Sequence, residues 1–126
     1  MPSDAEWTQL TDYVSSQSQN VCGSDNTNIA MALAYTSGWL SSMTSTCQVG
    51  YNQTANNATG LSLRPAGYYN GTGYYNFTTG ANYWSATEFV SDNLNAINRS
   101  VKNNDAKVST ENHRKYYGYS VRCLRD

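Results

Sequence analysis

The sequence predicts an α+β domain, and three observations lead to this fold class. A capped amphipathic helix begins the chain, a shorter apolar segment follows it, and after Gly60 the hydrophobic period changes from helical to two. The predicted order is therefore two helices, a long loop and then short antiparallel strands. The chain has 126 residues, a length that suits one domain, 1–126, rather than two.

The first helix is marked by a capping box. In Ser3-Asp4-Ala5-Glu6 the serine hydroxyl and the glutamate carboxylate satisfy each other's backbone amides, and Pro2 stands just before the box. Trp7, Leu10 and Val14 then recur at helical spacing. We expect an amphipathic helix from about residue 4 to about residue 15.

A shorter second helix is predicted over the apolar segment from Ile29 to Tyr35. Thr27 or Asn28 would cap its start, and Gly38 would end it in a left-handed conformation. Residues 40–60 are rich in Ser, Thr, Asn and Gln and show no periodicity. They are expected to form a loop.

The second half of the chain carries the predicted strands. Two tyrosine pairs, 68–69 and 74–75, flank Asn70-Gly71-Thr72-Gly73, a sequence typical of a tight hairpin turn. Further strands are expected over residues 83–87, 95–101 and 119–124. In the last of these, Tyr119, Val121 and Cys123 would share one face.

The composition argues against several classes of function. The formal net charge of −1 is too small to gather phosphates, which argues against binding to nucleic acid or to a lipid surface. No apolar run is long enough to cross a membrane, and no signal peptide is recognisable. Asn, Ser and Thr make up about a third of the chain against 13% charged residues, a profile typical of exported surface proteins. Because aliphatic residues are few, the 11 tyrosines and 3 tryptophans predict a ring-rich core.

Three cysteines allow at most one intramolecular disulfide. We favour a bridge between Cys22 and Cys47 across the loop-rich segment between them, with Cys123 as a buried thiol in the last strand. Three free thiols are the alternative. The spacing of the cysteines matches no zinc site.

Five segments of the chain resemble a known bacterial family. They are Pro2-Ser3-Asp4-Ala5-Glu6-Trp7, Thr36-Ser37-Gly38-Trp39, Gly60-Leu61-Ser62-Leu63-Arg64-Pro65-Ala66-Gly67-Tyr68, Tyr83-Trp84-Ser85-Ala86-Thr87-Glu88 and Gly118-Tyr119-Ser120-Val121-Arg122-Cys123-Leu124-Arg125-Asp126. In this order they are similar to the Fibrobacter-type major paralogous domain. The resemblance spans nearly the whole chain.

The resemblance implies a C-type lectin-like fold, with two helices packed on a small twisted antiparallel sheet beside long irregular loops. It also implies a bacterial module that is secreted or displayed on the cell surface. The same fold serves the variable proteins of diversity-generating retroelements, in which a constant scaffold presents replaceable side chains. Residues 89–117, rich in Asn and carrying His113 and Tyr116, are similar to such a variable region.

The chain departs from the family pattern at its start. Family members usually continue upstream with a strand, whereas Met1 here occupies the position of a leucine. Either the chain is a domain excised from a larger protein, or its C-terminal part, or its sheet closes differently. Cys22 and Cys47 also lie outside the family pattern.

Catalytic constellations are scarce in the sequence. His113 is the single histidine and is expected to be a solvated loop residue rather than a metal ligand. Ser85 and Ser120 have no base nearby in the sequence. Glu88 and Asp92 are the one acidic pair that could serve glycoside cleavage, but two acids four residues apart are usually just solvated. The loop motifs of calcium-dependent lectins do not occur, so no metal or other cofactor is expected.

Tyrosine, asparagine, serine and glycine are the residues that binding loops favour, because a tyrosine ring gives a large contact area at little cost in rotamer entropy. Neighbours in a strand point to opposite faces, so each tyrosine pair can place one ring inside and one outside. About half of these rings are expected in the core and half on a ligand surface. Trp7, Trp39 and Trp84 are expected in the core.

We therefore predict a non-catalytic, extracellular ligand-binding module of the receptor or adhesin type, which recognises a protein or glycan on another cell or phage and is compatible with oligomers. The predicted ligand-binding residues are Tyr68, Tyr69, Asn70, Tyr74, Tyr75, Asn76, Phe89, Asn93, Asn95, Asn103, Asn104, Asn112, His113, Arg114 and Tyr116. One alternative is a structural or tip domain of a surface or phage tail-fibre assembly. Another is a hydrolase or modifying enzyme on a scaffold like that of the formylglycine-generating enzymes.

Overall fold

The computed structural model describes residues 1–125. In chain order its elements are helix α1 (Asp4–Ser16), a 3₁₀ turn (Ser18–Asn20), helix α2 (Ala30–Leu33), a second 3₁₀ turn (Gln53–Ala55) and strands β1 (Tyr68–Tyr69), β2 (Tyr74–Tyr75), β3 (Gly80–Glu88), β4 (Asn95–Lys102) and β5 (Ser109–Arg114). The fold is thus α+β, with two helices and small antiparallel sheets, as the sequence predicts.

Helix α1 begins and packs as predicted. The Ser3 hydroxyl accepts a hydrogen bond from the Glu6 amide, and the Glu6 carboxylate accepts one from the Ser3 amide, so the capping box is complete. The buried side chains of the helix are Trp7 and Val14, and the Trp7 ring lies 6.2 Å from the ring of Tyr83 in β3. The helix therefore covers one face of β3 and β4.

Strands β3, β4 and β5 form an antiparallel sheet in that order. The register pairs Trp84 with Asn98 and Asn98 with Glu111, so these three side chains share one face. Tyr83 and Arg99, which are also paired, point to the opposite face, toward α1. The sheet thus has a helix-side face and a polar face, and on the polar face Asn98 is fully buried.

The hairpin of β1 and β2 is confirmed, and it is attached to the outer edge of β3. Isolated bridges pair Gly67 with Ala81, Ser120 with Tyr83 and Tyr69 with Gly118. These bridges bring the hairpin and the end of the chain together beside β3.

The core lies between the helices and the helix-side face of the sheet. Leu33, Val14, Val49 and Val101 are its largest fully buried apolar side chains. The buried rings of this core are Trp7, Trp39 and Tyr83, and alanine, valine and leucine fill most of the remainder, whereas Tyr119 is buried on the opposite face against Trp84. Trp84 is only half-buried. Rings therefore supply part of the core, while many of the tyrosines lie at or near the surface.

Helix α2 is shorter than predicted. It spans Ala30–Leu33, and its cap residue Ile29 makes no side-chain hydrogen bond, so neither Thr27 nor Asn28 caps it. The helix ends early because Ala34 is extended and pairs with Leu63 in a parallel bridge. Gly38 does have a positive φ of 86°, but it lies in the loop beyond the helix and does not terminate it.

The predicted strand over residues 119–124 is wrong. Only Ser120 in this segment takes part in a β-bridge, and residues 121–125 have no β structure. Cys123 is exposed rather than buried, because no pairing holds the segment after Ser120 against the sheet.

The disulfide between Cys22 and Cys47 is present, which confirms the favoured pairing. It joins the loop before α2 to the loop that follows Trp39. The loop before α2 is also closed on itself, because the Cys22 amide donates to the carbonyl oxygen of Asn28. Two irregular segments are thereby held in fixed positions.

Candidate ligand-binding surface

Three tyrosine pairs meet at one end of the molecule. We call them the tyrosine surface, which consists of Tyr68, Tyr69, Tyr74, Tyr75, Tyr116 and Tyr117. Strands β1 and β2 contribute the first four residues, and the turn after β5 contributes the last two. The backbones of Tyr69 and Gly118 join these parts through two hydrogen bonds of 3.1 and 2.8 Å.

The hairpin turn is fixed by the side chain of Asn70. Its Oδ1 accepts hydrogen bonds from the amides of Thr72 and Gly73, at 2.9 and 3.1 Å, and from the Thr72 hydroxyl at 2.8 Å. This Asx turn sets the register in which Tyr68 faces Tyr75 and Tyr69 faces Tyr74. Asn70 therefore positions the tyrosines, and its oxygen is already occupied.

Four rings form a continuous stack across this surface. The ring centroids of Tyr75 and Tyr68 are 5.8 Å apart, those of Tyr68 and Tyr117 are 5.8 Å apart, and those of Tyr117 and His113 are 5.6 Å apart. Neighbouring ring planes differ by 28°, 12° and 24° along the stack. Such pairs contribute about 0.5–1.5 kcal/mol each beyond burial, so the rings are held in place without a ligand.

Tyr119 supports the stack from the protein side. Its ring meets those of Tyr68, Tyr117 and His113 edge-on and lies 4.5 Å from the ring of Trp84. Burial raises the pKa of Tyr119 well above its ordinary value, and the neighbouring Tyr68 adds to the rise. The Tyr119 phenol therefore keeps its proton at alkaline pH values at which an ordinary tyrosine ionises.

The outer rings are accessible to a partner. Tyr74 is 85% exposed and Tyr116 is 67% exposed. In the pairs 68–69 and 116–117 one ring is half-buried and the other is exposed, as expected, whereas both rings of the pair 74–75 are exposed. The last pair differs because, within the described residues, β2 pairs only with β1, whereas β1 is also bridged at Tyr69 to Gly118.

A cavity of about 470 Å³ lies beside Tyr116 and extends the tyrosine surface. Its lining consists of Asn93, Leu94, Arg114, Lys115 and Tyr116. Two ion pairs stand at its edge, Arg114 with Asp92 at 3.2 Å and Lys115 with Glu88. The structure thus brings the predicted residues Asn93, Arg114 and Tyr116 together.

Several predicted residues lie elsewhere. Asn76 and Asn104 border a different cavity, also of about 470 Å³. Asn103 is only 8% exposed, and its side-chain amide donates to the carbonyl oxygen of Leu40. Its side chain is therefore committed to the fold, not to a surface.

Two further predicted asparagines bond to each other. The side-chain Nδ2 of Asn95 donates to Oδ1 of Asn112 at 3.0 Å across β4 and β5. Phe89 is half-buried just after β3, and its amide donates to the carbonyl oxygen of Asn95. Phe89 and Asn95 therefore close the β3–β4 connection, and the side chains of Asn95 and Asn112 lie on the face of the sheet opposite that of His113.

The prediction that His113 is a solvated loop residue is wrong. His113 lies in β5 opposite Ala96 of β4 and is half-buried. Its Nδ1 is 3.0 Å from Oδ1 of Asn98, and its ring ends the stack on Tyr117. Strand pairing, which the polar sequence does not reveal, therefore holds this ring in the site.

Tyr117 and Tyr119 complete the arrangement but are missing from the predicted binding residues. The sequence does contain a signal for Tyr117, because it forms a pair with Tyr116. The sequence places Tyr119 only on a strand face, and the contact with Trp84 reveals its supporting role.

The acidic and nucleophilic groups near this surface are engaged in the fold. Glu88 and Asp92 pair with Lys115 and Arg114, respectively. The Ser85 hydroxyl is buried and donates to the carbonyl oxygen of Ile97. Within residues 1–125, no group of three or more His, Cys, Asp or Glu could hold a metal ion, and no helix is long and apolar enough to span a membrane.

Comparison with known proteins assigns this chain to a domain family. The Fibrobacter succinogenes major domain family matches residues 1–125, and the chain belongs to it. This confirms the resemblance seen in the sequence. Neither the comparison with curated proteins nor the comparison with solved structures gave a significant match.

Proposed function

We propose that this chain is a non-catalytic ligand-binding module that works outside the cell and presents the tyrosine surface to a protein or glycan. The observation that carries the proposal is the ring stack of Tyr75, Tyr68, Tyr117 and His113 beneath exposed outer rings. The proposal includes a C-type lectin-like fold, to which the α+β architecture and the family membership lend support.

Pre-organisation is the physical reason for assigning binding to this surface. A partner that orders flexible side chains loses affinity, at about 0.5–1.5 kcal/mol for each immobilised side chain. Here the inner rings are already stacked, and the Asx turn at Asn70 fixes the hairpin that carries them. The exposed rings of Tyr74 and Tyr116 can then contribute apolar contact area and a hydroxyl at little entropic cost.

A non-catalytic role is favoured by the state of the reactive groups. The carboxylates of Glu88 and Asp92 are in separate ion pairs, and a glycosidase needs one acid kept protonated and a second one poised across the bond. The exposed thiol of Cys123 lies in the segment after Ser120, away from the disulfide-bonded cysteines in the sequence. Nothing in this arrangement pairs a nucleophile with a base.

An extracellular location is part of the proposal, and the disulfide Cys22–Cys47 supports it. Disulfides form and persist in oxidising compartments and are rare in the reducing cytosol. The low content of charged residues, 13%, points the same way.

We further propose that residues around the cavity beside Tyr116 are replaceable, as in the variable proteins of diversity-generating retroelements. Asn93 and Tyr116 line this cavity with exposed side chains, and Asn112 is an exposed residue of β5. The gene neighbourhood tests this point. We expect it to contain a reverse transcriptase gene and a near-copy of the coding region for residues 89–117. A neighbourhood without either would remove the diversification idea and leave the binding proposal in place.

Binding is tested with the double variant Tyr74→Ala/Tyr116→Ala on a glycan array and a cell-surface protein array. We expect the wild-type domain to bind at least one array member. The double variant should lose at least about tenfold in affinity, since tyrosines that become buried in a complex are frequent hot spots. The matched control is Tyr13→Ala, which removes an equally exposed tyrosine (66%) from helix α1. Equal binding by all three proteins, or no binding by the wild type on either array, would contradict the proposal.

A further inference from the structure

A second cavity, of about 320 Å³, lies on the helix side of the sheet. Helix α1 lines it with Thr11, Asp12 and Ser15, and the loop before α2 adds Thr27. Because adjacent residues of β4 point to opposite faces, this cavity and the tyrosine surface are on opposite sides of the sheet. This cavity is therefore separate from the tyrosine surface.

Arg99 of β4 lines this cavity from the sheet. The residue is 9% exposed, and its Nε and Nη2 atoms donate to Asp4 and Thr8. Within residues 1–125, Nη1 has no hydrogen-bond partner, although Arg99 lines the cavity. A guanidinium held this firmly, with free N–H groups, is a positioned hydrogen-bond donor.

The charges around the cavity disfavour an anionic ligand. Arg99 is already neutralised by Asp4, with Nε 2.9 Å from Oδ1, and Lys107 is paired with Asp25 at 2.9 Å. Asp12 adds a carboxylate to the lining. A phosphate or carboxylate would meet no unpaired cation and one negative charge.

A neutral polyol fits the same groups well. Its hydroxyls can accept from Arg99 and donate to the carboxylate of Asp12, and the Ser15 hydroxyl can do either. Val108, which is half-buried, lines the cavity with apolar surface against which the C–H face of a sugar ring can pack, whereas Ile29 beside it is 3% exposed. We propose that this cavity is a second binding site and that its ligand is a neutral saccharide, bound through adjacent hydroxyls between Arg99 and Asp12.

The test is an NMR titration of the ¹⁵N-labelled protein with free D-mannose, D-galactose and N-acetyl-D-glucosamine, and separately with inorganic phosphate. We expect at least one sugar to shift the backbone amides of Ser15, Thr27 and Lys107 with a millimolar dissociation constant. Asp12→Ala should weaken this binding about tenfold, because a hydrogen bond to a charged group is lost. Gln9→Ala, at an exposed position of the same helix, should leave it unchanged.

Three outcomes would overturn the inference: no shift at these amides with any of the sugars, equal affinity in Asp12→Ala, or a response to phosphate alone. Because Asp12 is exposed, the variant should fold, and the unaltered amide spectrum of the remaining residues verifies this. The tyrosine surface takes no part in the measurement, so failure here would leave the proposed function standing.

Discussion

At the scale of single residues, the pair of Arg99 and Asp4 differs from the other ion pairs of residues 1–125. The side chain of Arg99 is 10% exposed and that of Asp4 is 27% exposed, whereas both partners of the Arg114–Asp92 pair are more than a third exposed. Removing one partner of a buried pair leaves a charge without compensation, which costs more than the pair itself contributes.

The substitution Asp4→Ala should therefore lower the free energy of unfolding by about 3 kcal/mol. Asp92→Ala, the matched control, removes an acid from a solvent-accessible pair and should cost less than about 1 kcal/mol. Urea denaturation of both variants measures the difference. Similar losses in the two variants would mean that burial does not set the strength of the Arg99 pair.

At the scale of elements, the hairpin depends on the close approach of two backbones at Gly67. A Cβ atom at this position would lie 2.2 Å from the carbonyl oxygen of Tyr75, and φ is +66°. Gly60 has a similar φ of +74°, but a Cβ atom there would have no neighbour within 4 Å. Alanine substitutions at the two positions therefore distinguish the effect of the positive φ from the effect of steric crowding.

Gly60→Ala should destabilise the protein by about 1 kcal/mol, from the positive φ alone. Gly67→Ala should cost about 3 kcal/mol more, because the added Cβ atom would collide with the backbone of residues 75–77 and the two arms of the hairpin would have to separate. Thermal denaturation gives the stabilities, and near-ultraviolet circular dichroism of the tyrosines monitors the ring stack. If Gly67→Ala kept the wild-type spectrum and lost no more stability than Gly60→Ala, the hairpin would not depend on this contact.

Elements with local signals can be predicted from the sequence, and elements fixed by distant partners cannot. Helix α1 has its own capping box, and the hairpin has its Asn-Gly turn, so both are predictable. β5 alternates between half-buried and exposed residues, but Ser109, Glu111 and His113 on its inner side are polar, and no hydrophobic alternation marks the strand. The segment 119–124 shows alternation, yet it lacks a continuous partner strand.

The candidate site likewise has parts that can be predicted from the sequence and parts that cannot. The tyrosine pairs are visible in the sequence, and the hairpin brings two of the three pairs together as predicted. The stack on Tyr117 and His113 depends on β5 and on the bridge at Gly118, which are long-range contacts that sequence periodicity does not report. Asn103 fits the composition of a binding loop, but it is a buried donor to the loop at Leu40.

At the scale of the whole molecule, the disulfide Cys22–Cys47 restrains the long loops between α1 and β1. The two cysteines are 25 residues apart in the sequence. In the chain-entropy account, a loop of this size makes the unfolded state less favourable by about 3 kcal/mol. The loop before α2 also carries Thr27, so the disulfide holds one wall of the cavity at Arg99.

The double variant Cys22→Ala/Cys47→Ala should accordingly lose about 3 kcal/mol in the free energy of unfolding. Cys123→Ala is the control, since this exposed thiol forms no bridge within residues 1–125, and it should leave the stability unchanged. Urea denaturation of the oxidised proteins measures both. A loss in Cys123→Ala as large as that of the double variant would contradict the assigned role of the disulfide.

Strand β5 has one further consequence. In the described part of the chain it lies at the end of the three-stranded sheet, and its exposed side chains are Thr110, Asn112 and Arg114, which project from one face along this edge. A polar and charged border of this kind resists edge-to-edge pairing with a neighbouring copy.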